Sequence, residues 1–157
     1  MQNACGGMKL KISHTFIFKD IPREVVWTTI QDKEVLKRAL PGCKSFIEVG
    51  DNIFASELGI NIGPVKGIFM GEVKQTDKQE PEFYRLLVNG KGKPGEIDAD
   101  AEMSLTETEE GTLLICHAEV KLTGILASVG QRVMSGVAKV ILGQFFKDIQ
   151  KEARQLV

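Results

Sequence analysis

Cysteine and histidine are the side chains here best suited to nucleophilic or metal chemistry, and they are few. The 157 residues include three cysteines and two histidines. Cys43 stands in the segment KRALPGCKSF, residues 37–46, and a cysteine nucleophile there would need a base within hydrogen-bonding reach. No histidine is near Cys43 in the sequence. These residues alone leave four roles open for Cys43: nucleophile, metal ligand, half of a disulfide, or small apolar residue after a turn.

A zinc site would have to draw on Cys43, Cys116, His14 and His117. The sequence contains no CxxC or HxxxH spacing, which zinc sites commonly use. Cys116 and His117 are neighbours on a predicted strand, so their side chains point to opposite faces. An odd number of cysteines without framework spacing also argues against a disulfide scaffold. We therefore expect no metal or cofactor, and we predict that Cys116 packs in the core.

Two further patterns invite a chemical interpretation. The segment GKGKPG, residues 90–95, matches the G-x-G-x-x-G pattern, but a dinucleotide site needs a helix next. The following EIDADAEMSL alternates like a strand, so we predict a hairpin loop. Asp98, Asp100 and Glu102 share one face of that strand. Calcium binding is one interpretation of this face, and the solvated outer surface of a sheet is the favoured one.

The composition is that of one ordinary globular domain. Hydrophobic residues make up 43% and charged residues 26%, and the net charge of −1 gives no indication of nucleic-acid binding. No apolar run approaches the roughly 20 residues of a membrane helix, and no secretory signal pattern opens the chain. We predict a cytoplasmic protein with a flexible extension at residues 1–7 and a single domain at residues 8–157.

The secondary-structure pattern changes twice along the chain. A strand is predicted over residues 10–18, then helices over 20–30 and 33–40, the second capped by Asp32 and ended by Pro41-Gly42. About six strands follow, in which apolar residues alternate with polar ones as in an antiparallel sheet with one dry face. The predicted inward sets are Phe54, Ser56, Leu58, Ile60; Val65, Gly67, Phe69, Gly71, Val73; Tyr84, Leu86, Val88; Ile97, Ala99, Ala101, Met103, Leu105; and Leu114, Cys116, Ala118, Val120, Leu122.

From about residue 125 the period becomes helical and continues to the end. One apolar stripe contains Leu126, Val129, Val133, Val137, Val140 and Ile141, and a second contains Ala138, Leu142, Phe145, Ile149, Ala153 and Leu156. Two stripes predict a helix that bends, or one whose halves pack against different elements. The element order has no βαβ repeat, so the predicted class is α+β, with an antiparallel sheet curling around a long C-terminal helix.

Small residues at inward strand positions leave two interpretations open. Glycines such as Gly67 and Gly71 can mark bulges that bend long strands. Small side chains, including Ala99, Ala101 and Ala118, can instead leave space between sheet and helix, which natural cores avoid unless something occupies it.

Several segments together resemble the family of the G-type subunit of carbon monoxide dehydrogenase, in the START-like helix-grip superfamily that includes polyketide cyclases. They are PREVVWTTIQDKEVLKRALPGCKSF, INIGPVKGIFMGEV, GKGKPG and LTGILASVGQRV. The resemblance implies a helix-grip fold: a curved seven-stranded antiparallel sheet wrapped around a long C-terminal helix, with two short helices after the first strand and an apolar cavity. It also implies that PGC is a structural turn and that Cys43 is a small buried residue.

The function that the resemblance implies is that of a non-enzymatic accessory protein. Family members serve molybdenum-containing carbon monoxide dehydrogenases and related hydroxylases at the membrane. We expect a hydrophobic ligand, with a quinone as candidate, in a cavity lined by Phe54, Leu58, Phe69, Leu86, Met103, Ala118, Val133, Val137 and Ile141. Two alternatives are a cyclase or aromatase that uses the same cavity and a protein-docking module. Peripheral membrane contact would use the basic face of the last helix: Arg132, Lys139, Lys147, Lys151 and Arg154.

Overall fold

The computed structural model describes residues 7–157, so the predicted extension, apart from Gly7, lies outside the described residues. A strand and two short helices open the fold, and six more strands and two helices follow. The strands are β1 (Met8–Lys19), β2 (Cys43–Gly50), β3 (Ile53–Ile62), β4 (Val65–Gln79), β5 (Phe83–Gly92), β6 (Gly95–Thr108) and β7 (Gly111–Leu122). The helices are α1 (Arg23–Gln31), α2 (Lys33–Ala39), α3 (Ile125–Ser128) and α4 (Gln131–Arg154).

The strands form one seven-stranded antiparallel sheet in the order β1-β7-β6-β5-β4-β3-β2. Strands β2 to β7 are successive hairpins, and β1 pairs along its whole length with the last strand. This arrangement leaves β1 and β2 as the two edges, with the helices across one face. The predicted fold class, a curved sheet with a long C-terminal helix and two short helices after β1, is confirmed.

The register confirms the predicted inward face. One row of paired residues crosses six strands, and its members in β3 to β7 all belong to sets that the alternation placed inward; the row is Phe54, Val73, Val88, Ale99-equivalent position Ala99, Val120 and Leu10. Neighbouring rows on the same face include Tyr84, Met103, Cys116 and His14. Because side chains alternate with period two, one correct row fixes the face of every other residue in the same strands.

Local sequence explains how α2 begins and how the chain leaves it. The Asp32 carboxylate accepts hydrogen bonds from the Glu34 and Val35 backbone N–H groups, at 2.9 and 3.4 Å. After α2 the chain turns at Gly42, whose φ of 68° is typical of glycine. The Gly42 carbonyl accepts a 2.8 Å bond from the Gly59 N–H, which ties the turn to β3. The PGC segment is therefore a structural turn, as predicted.

The C-terminal helix differs from the prediction in two respects. It is broken at Gly130, whose φ of 103° separates the four-residue α3 from α4. Val133 and Val140, both predicted to lie in an inward stripe, are 43% and 55% exposed. Met134 is buried instead, because the break at Gly130 resets the rotation of α4 relative to the sheet. Within residues 7–157 no helix is both long and apolar enough to cross a membrane.

Helix α4 packs most closely against β1, α1 and α2. The Arg38 guanidinium of α2 donates two hydrogen bonds to the Glu152 carboxylate of α4, at 3.0 and 2.9 Å. At the opposite end of α4, the Gln131 amide donates to the Lys9 carbonyl at 3.0 Å. These contacts hold α4 beside one edge of the sheet, so the concave faces of β3, β4 and β5 lie farther from it.

Candidate functional site

The interior is divided into two core clusters rather than one continuous core. One surrounds α1 and α2 and includes Phe18, Trp27 and Tyr84. The other lies near α3 and the start of α4 and includes Phe69 and Met134. Between them, several inward-facing apolar residues are only partly buried: Val73, Leu86, Ala118, Val120, Ile97, Ala138, Ile141 and Leu142. Because these side chains face the helix yet remain partly accessible, the middle of the concave face forms a cleft.

The glycines of the concave face have different roles. A Cβ at Gly71 would overlap the Asn89 carbonyl oxygen, and one at Gly67 would press on the Pro94 ring at 2.9 Å. Both are therefore required for close packing of neighbouring strands. At Gly90 no atom lies within 4 Å of the place a Cβ would take, although Gly90 is paired with Gly71 and Ile97 in the middle of the sheet. The bending interpretation therefore holds for Gly67 and Gly71, and the open-space interpretation holds at Gly90.

Eight of the nine predicted lining residues face the interior. Phe54, Phe69, Met103 and Val137 are buried, whereas Leu58, Leu86, Ala118 and Ile141 are partly buried. The ninth, Val133, lies on the exposed surface of α4, and its predicted interior position is wrong. Gly90 was missed because residues 90–95 were predicted to form only a hairpin loop; in fact the loop is the short turn between β5 and β6, and Gly90 belongs to β5. Ligand contact at these positions stays a prediction.

Few polar groups face the cleft. The Ser56 Oγ is buried and makes no hydrogen bond to the described residues that meets ordinary geometry; the group beside it is the Cys43 thiol, a weak partner. Gln75, 6% exposed, is paired with Leu86 and therefore lies on the concave face. Sequence reasoning missed Gln75 because the predicted inward set of that strand ended at Val73. Over residues 54–122, the part of the described chain that forms β3 to β7, the inward positions hold no carboxylate.

The titratable groups of the concave face are poorly suited to acid–base work. Burial raises the pKa of the Tyr84 hydroxyl far above its ordinary value. Burial also raises the pKa of Cys116 to about 11, so this thiol stays protonated at neutral pH. The His14 ring stacks on Phe146 with centroids 5.8 Å apart. Neither His14 nor Tyr84 forms an ion pair or a side-chain hydrogen bond within residues 7–157, so the geometry offers binding rather than proton transfer.

Cys43 is half-buried rather than fully buried. Its Sγ donates a hydrogen bond to the Ser45 carbonyl at 3.3 Å. Burial raises the pKa of the Cys43 thiol, and the Ser56 hydroxyl and the Ser45 backbone oppose this rise to a smaller extent. A thiol nucleophile requires the opposite shift. The environment of Cys43 is therefore that of a structural residue.

A separate concavity of about 350 Å³ lies on the outer face of the sheet. The Arg85 guanidinium bonds three carboxylates there: Asp77 at 3.2 Å, Asp100 at 2.7 Å and Glu102 at 3.0 Å. The Ser13 hydroxyl and the His117 Nδ1 are 3.2 Å apart on neighbouring strands. The acidic face weighed as a calcium site is thus partly neutralised by an arginine, which agrees with a solvated outer surface.

Comparison with known proteins gives one family and a group of similar folds. The sequence profile of CoxG, the G-type subunit of carbon monoxide dehydrogenase, matches residues 19–154. No curated protein matches the chain. The crystal structure of a conserved protein from Geobacillus kaustophilus is similar with a TM-score of 0.86 and 34% identity, over 94% of this chain and 96% of that one.

Two more distant structures share the fold. A START superfamily protein from Mycobacterium smegmatis has a TM-score of 0.73 and 15% identity, over 94% of this chain and 99% of that one. The ZhuI aromatase/cyclase from Streptomyces sp. R1128 has a TM-score of 0.65 and 11% identity, over 94% and 95%. At these identities the likeness establishes the START and cyclase type of architecture alone.

Proposed function

We propose that this chain, which belongs to the CoxG family of carbon monoxide dehydrogenase subunits, is a non-enzymatic carrier of a lipophilic molecule. One observation carries the proposal: inward apolar residues in the middle of the sheet are only partly buried, and the space over Gly90 is open. A folded core normally fills such space, because interiors are close-packed. An apolar ligand in the cleft would complete that packing.

The ligand we favour is a long apolar molecule that carries at least one hydrogen-bonding group. Apolar lining supplies affinity through burial at roughly 25 cal/mol per Å² of apolar area. The buried Ser56 Oγ, with only a thiol beside it, supports a polar group on the ligand, since a buried hydroxyl without a good partner costs free energy. An isoprenoid quinone meets both requirements, and its identity rests mainly on the association of the family with a redox enzyme.

The biological setting that we propose follows the family. The carrier would work in the cytoplasm as an accessory protein of a molybdenum-containing carbon monoxide dehydrogenase-like enzyme, with peripheral contact at the inner face of the cell membrane. A carrier of this kind needs an apolar cleft and an entry to the cleft, but no catalytic group. The concave face of β3 to β7, without an inward carboxylate, agrees with that requirement.

Ligand binding is tested with two variants of adjacent residues. Gly90→Leu fills the open space, whereas Asn89→Leu adds the same side chain on the exposed outer face of β5. Titration with a quinone analogue is followed by fluorescence of the single tryptophan, Trp27, whose ring contacts Tyr84 edge-to-face at 5.5 Å. We expect saturable binding for the unmodified protein and for Asn89→Leu, and loss of binding for Gly90→Leu.

The ligand itself is identified by extraction. Organic solvent extraction of the purified protein, followed by mass spectrometry, should release an apolar molecule from the unmodified chain and from Asn89→Leu, and much less from Gly90→Leu. Equal recovery from both variants would contradict binding in the cleft. Absence of any bound or titratable apolar molecule would contradict the carrier function.

An enzyme of the cyclase type is the second candidate, because ZhuI has the same architecture. His14 is the group on the concave face that could transfer a proton near neutral pH. Its stacking on Phe146, without a carboxylate partner on the concave face of β3 to β7, weakens this candidate. Conversion of an aromatic polyketide precursor by the unmodified protein, abolished in His14→Phe, would favour the enzyme over the carrier.

A further inference from the structure

Charge is distributed unevenly between the two ends of the sheet. One end holds the β3–β4 turn, the β5–β6 turn, α3 and the first turn of α4. The three segments that form it, residues 61–66, 91–95 and 123–134, contain four basic residues and no acidic one. We call this region the basic end; its charged residues are Lys66, Lys91, Lys93 and Arg132. All four side chains belong to exposed residues.

The opposite end has the reverse charge. It holds the end of β1, the start of α1 and the β2–β3, β4–β5 and β6–β7 turns. Residues 19–24, 50–53, 77–82 and 107–110 contain nine acidic and three basic residues. The net charge of −1 therefore conceals a separation of charge along the direction of the strands. Such a separation orients a molecule near a charged surface, because opposite ends experience opposite forces.

The segments of the basic end are in mutual contact and form one surface. The Leu126 N–H donates to the Pro94 carbonyl at 3.0 Å, which fixes α3 against the β5–β6 turn. Pro94 also lies against Gly67, so the same turn meets β4. Gln131 is bonded to Lys9 at the start of β1.

The cations of this surface are largely available to an external anion. Lys91 pairs with Glu96, with the Lys91 Nζ 3.5 Å from the nearest carboxylate oxygen. Within residues 7–157, Lys66, Lys93 and Arg132 form no ion pair. Three of the four positive charges are therefore not neutralised by the described part of the chain.

Aliphatic side chains project from this same surface. Ile125 of α3 is 67% exposed, although its neighbour Leu126 is buried. Val133 is 43% exposed and precedes Val137 by four positions, one turn along the same side of α4. Val137 is buried in the cluster that borders the cleft. An apolar stripe therefore runs from the interior of the cleft onto the basic end.

We propose that the basic end docks on the surface of an anionic lipid bilayer, with Ile125 and Val133 inserted between the headgroups. Lysine and arginine beside a membrane interact favourably with anionic lipid. Exposed aliphatic residues among cations, without acidic residues, are the pattern of interfacial membrane contacts. The three segments contain no aromatic residue, whereas protein interfaces depend on Trp, Tyr and Arg anchors. This favours lipid over an acidic protein partner.

The orientation has a functional consequence that rests on the proposed carrier function. Docking by the basic end places the stripe of Val133 and Val137 against the bilayer, so an apolar ligand would pass between membrane and cleft without crossing water. The acidic end, with the β6–β7 turn, then faces away from the membrane.

Vesicle co-sedimentation tests the docking surface with matched variants. The vesicles contain phosphatidylcholine alone or phosphatidylcholine with phosphatidylglycerol, without any added ligand. Lys66→Glu/Lys93→Glu reverses two charges at the basic end, and Lys19→Glu/Lys74→Glu reverses two exposed charges elsewhere. Ile125→Asp is compared with Ile47→Asp, since Ile47 is 60% exposed on β2. Circular dichroism establishes that each variant is folded.

We expect binding that requires phosphatidylglycerol and weakens as salt is raised. Lys66→Glu/Lys93→Glu and Ile125→Asp should each weaken the partition about tenfold or more, whereas the control variants bind like the unmodified protein. Absence of lipid-dependent binding, or equal losses in the variants and their controls, would overturn the proposal and leave an acidic protein as the partner to seek. Quinone titration in vesicle-free solution tests the carrier function separately, so either proposal can fail alone.

Discussion

The environments of the cysteines decide between a reactive and a structural role at the level of single residues. Cys116 faces the core between Met103 and His14, and burial raises its pKa to about 11. Cys43 is half-buried, and burial raises its pKa as well. A raised thiol pKa means less thiolate at neutral pH, and the thiolate is the reactive form. Both residues therefore lack the property that a nucleophile needs.

We predict that Cys43 and Cys116 are alkylated slowly by iodoacetamide at pH 7 in the folded protein. Cys43 should react faster than Cys116 because it is partly exposed, and both rates should rise with pH as the thiols ionise. Mass spectrometry of proteolytic peptides measures the two rates, with protein unfolded in urea as the control. Labelling of Cys43 at the same rate in folded and unfolded protein would contradict the raised pKa.

Glycine has opposite effects in the two kinds of element. In β4, Gly71 allows the backbone of β5 to approach, since a Cβ there would overlap the Asn89 carbonyl. In α4, Gly136 has no atom within 4 Å of the place its Cβ would take. The same residue type is thus required in the sheet and costs stability in the helix.

We predict that Gly71→Ala lowers the free energy of unfolding by on the order of 3 kcal/mol, because the backbones of β4 and β5 must separate. Gly136→Ala should instead raise it by up to about 1 kcal/mol, through the higher helix propensity of alanine. Urea denaturation of both variants measures the difference. A Gly71→Ala variant as stable as the unmodified protein would contradict the close approach of the two strands.

The ion pair between Arg38 and Glu152 links α2 to α4. The pKa of Glu152 is lowered, chiefly by the hydrogen bonds from Arg38. A carboxyl whose pKa is lower in the folded state stabilises the fold above its unfolded pKa, about 4.3 for glutamate. That contribution is lost as the pH falls through the lowered folded value. It is small, because both side chains reach solvent.

We predict that Glu152→Gln causes a small loss of stability at pH 7 and none at pH 2 to 3, where Glu152 would be protonated in both states. Thermal unfolding at several pH values measures this difference against the unmodified protein. Glu57→Gln on β3 serves as the control. A constant difference between Glu152→Gln and the unmodified protein down to pH 2 would show that the lowered pKa is not the source of the effect.

At the level of the whole molecule, α4 lies beside the β1 edge and leaves the concave faces of β3 to β5 incompletely covered. The two core clusters stabilise the two ends, and the cleft between them is the least completely packed part of the interior. A ligand that binds there should stabilise the folded state, since it binds the native cleft and the unfolded chain has none.

We predict that a quinone analogue at a free concentration of 100 Kd stabilises the fold by about 2.7 kcal/mol. For a domain of this size, that corresponds to a rise in Tm of roughly 5–10 °C. Differential scanning calorimetry measures the shift, and Gly90→Leu, with the cleft filled, should show none. The same rise in Gly90→Leu would place the ligand outside the cleft.

The alternation of side chains and the local turn chemistry were sufficient to predict most of the fold. The inward faces of β3 to β7, the cap at Asp32 and the turn at Pro41-Gly42 depend on residues close in sequence, so they are visible without the structure. Eight of the nine predicted lining residues face inward for the same reason. The period of a strand fixes a face, and the resemblance supplied what lies against it.

The tertiary structure alone decided which faces are covered. Val133 and Gly67 illustrate the limit: an apolar residue at helical spacing proved to be exposed, and a small inward residue proved to be a close-packing site rather than a gap. The break at Gly130 sets the rotation of α4, and the position of α4 beside β1 leaves the space over Gly90 open. The basic end likewise arises only because three distant segments meet. Such features depend on contacts between residues far apart in sequence, which the local period of a strand or helix does not specify.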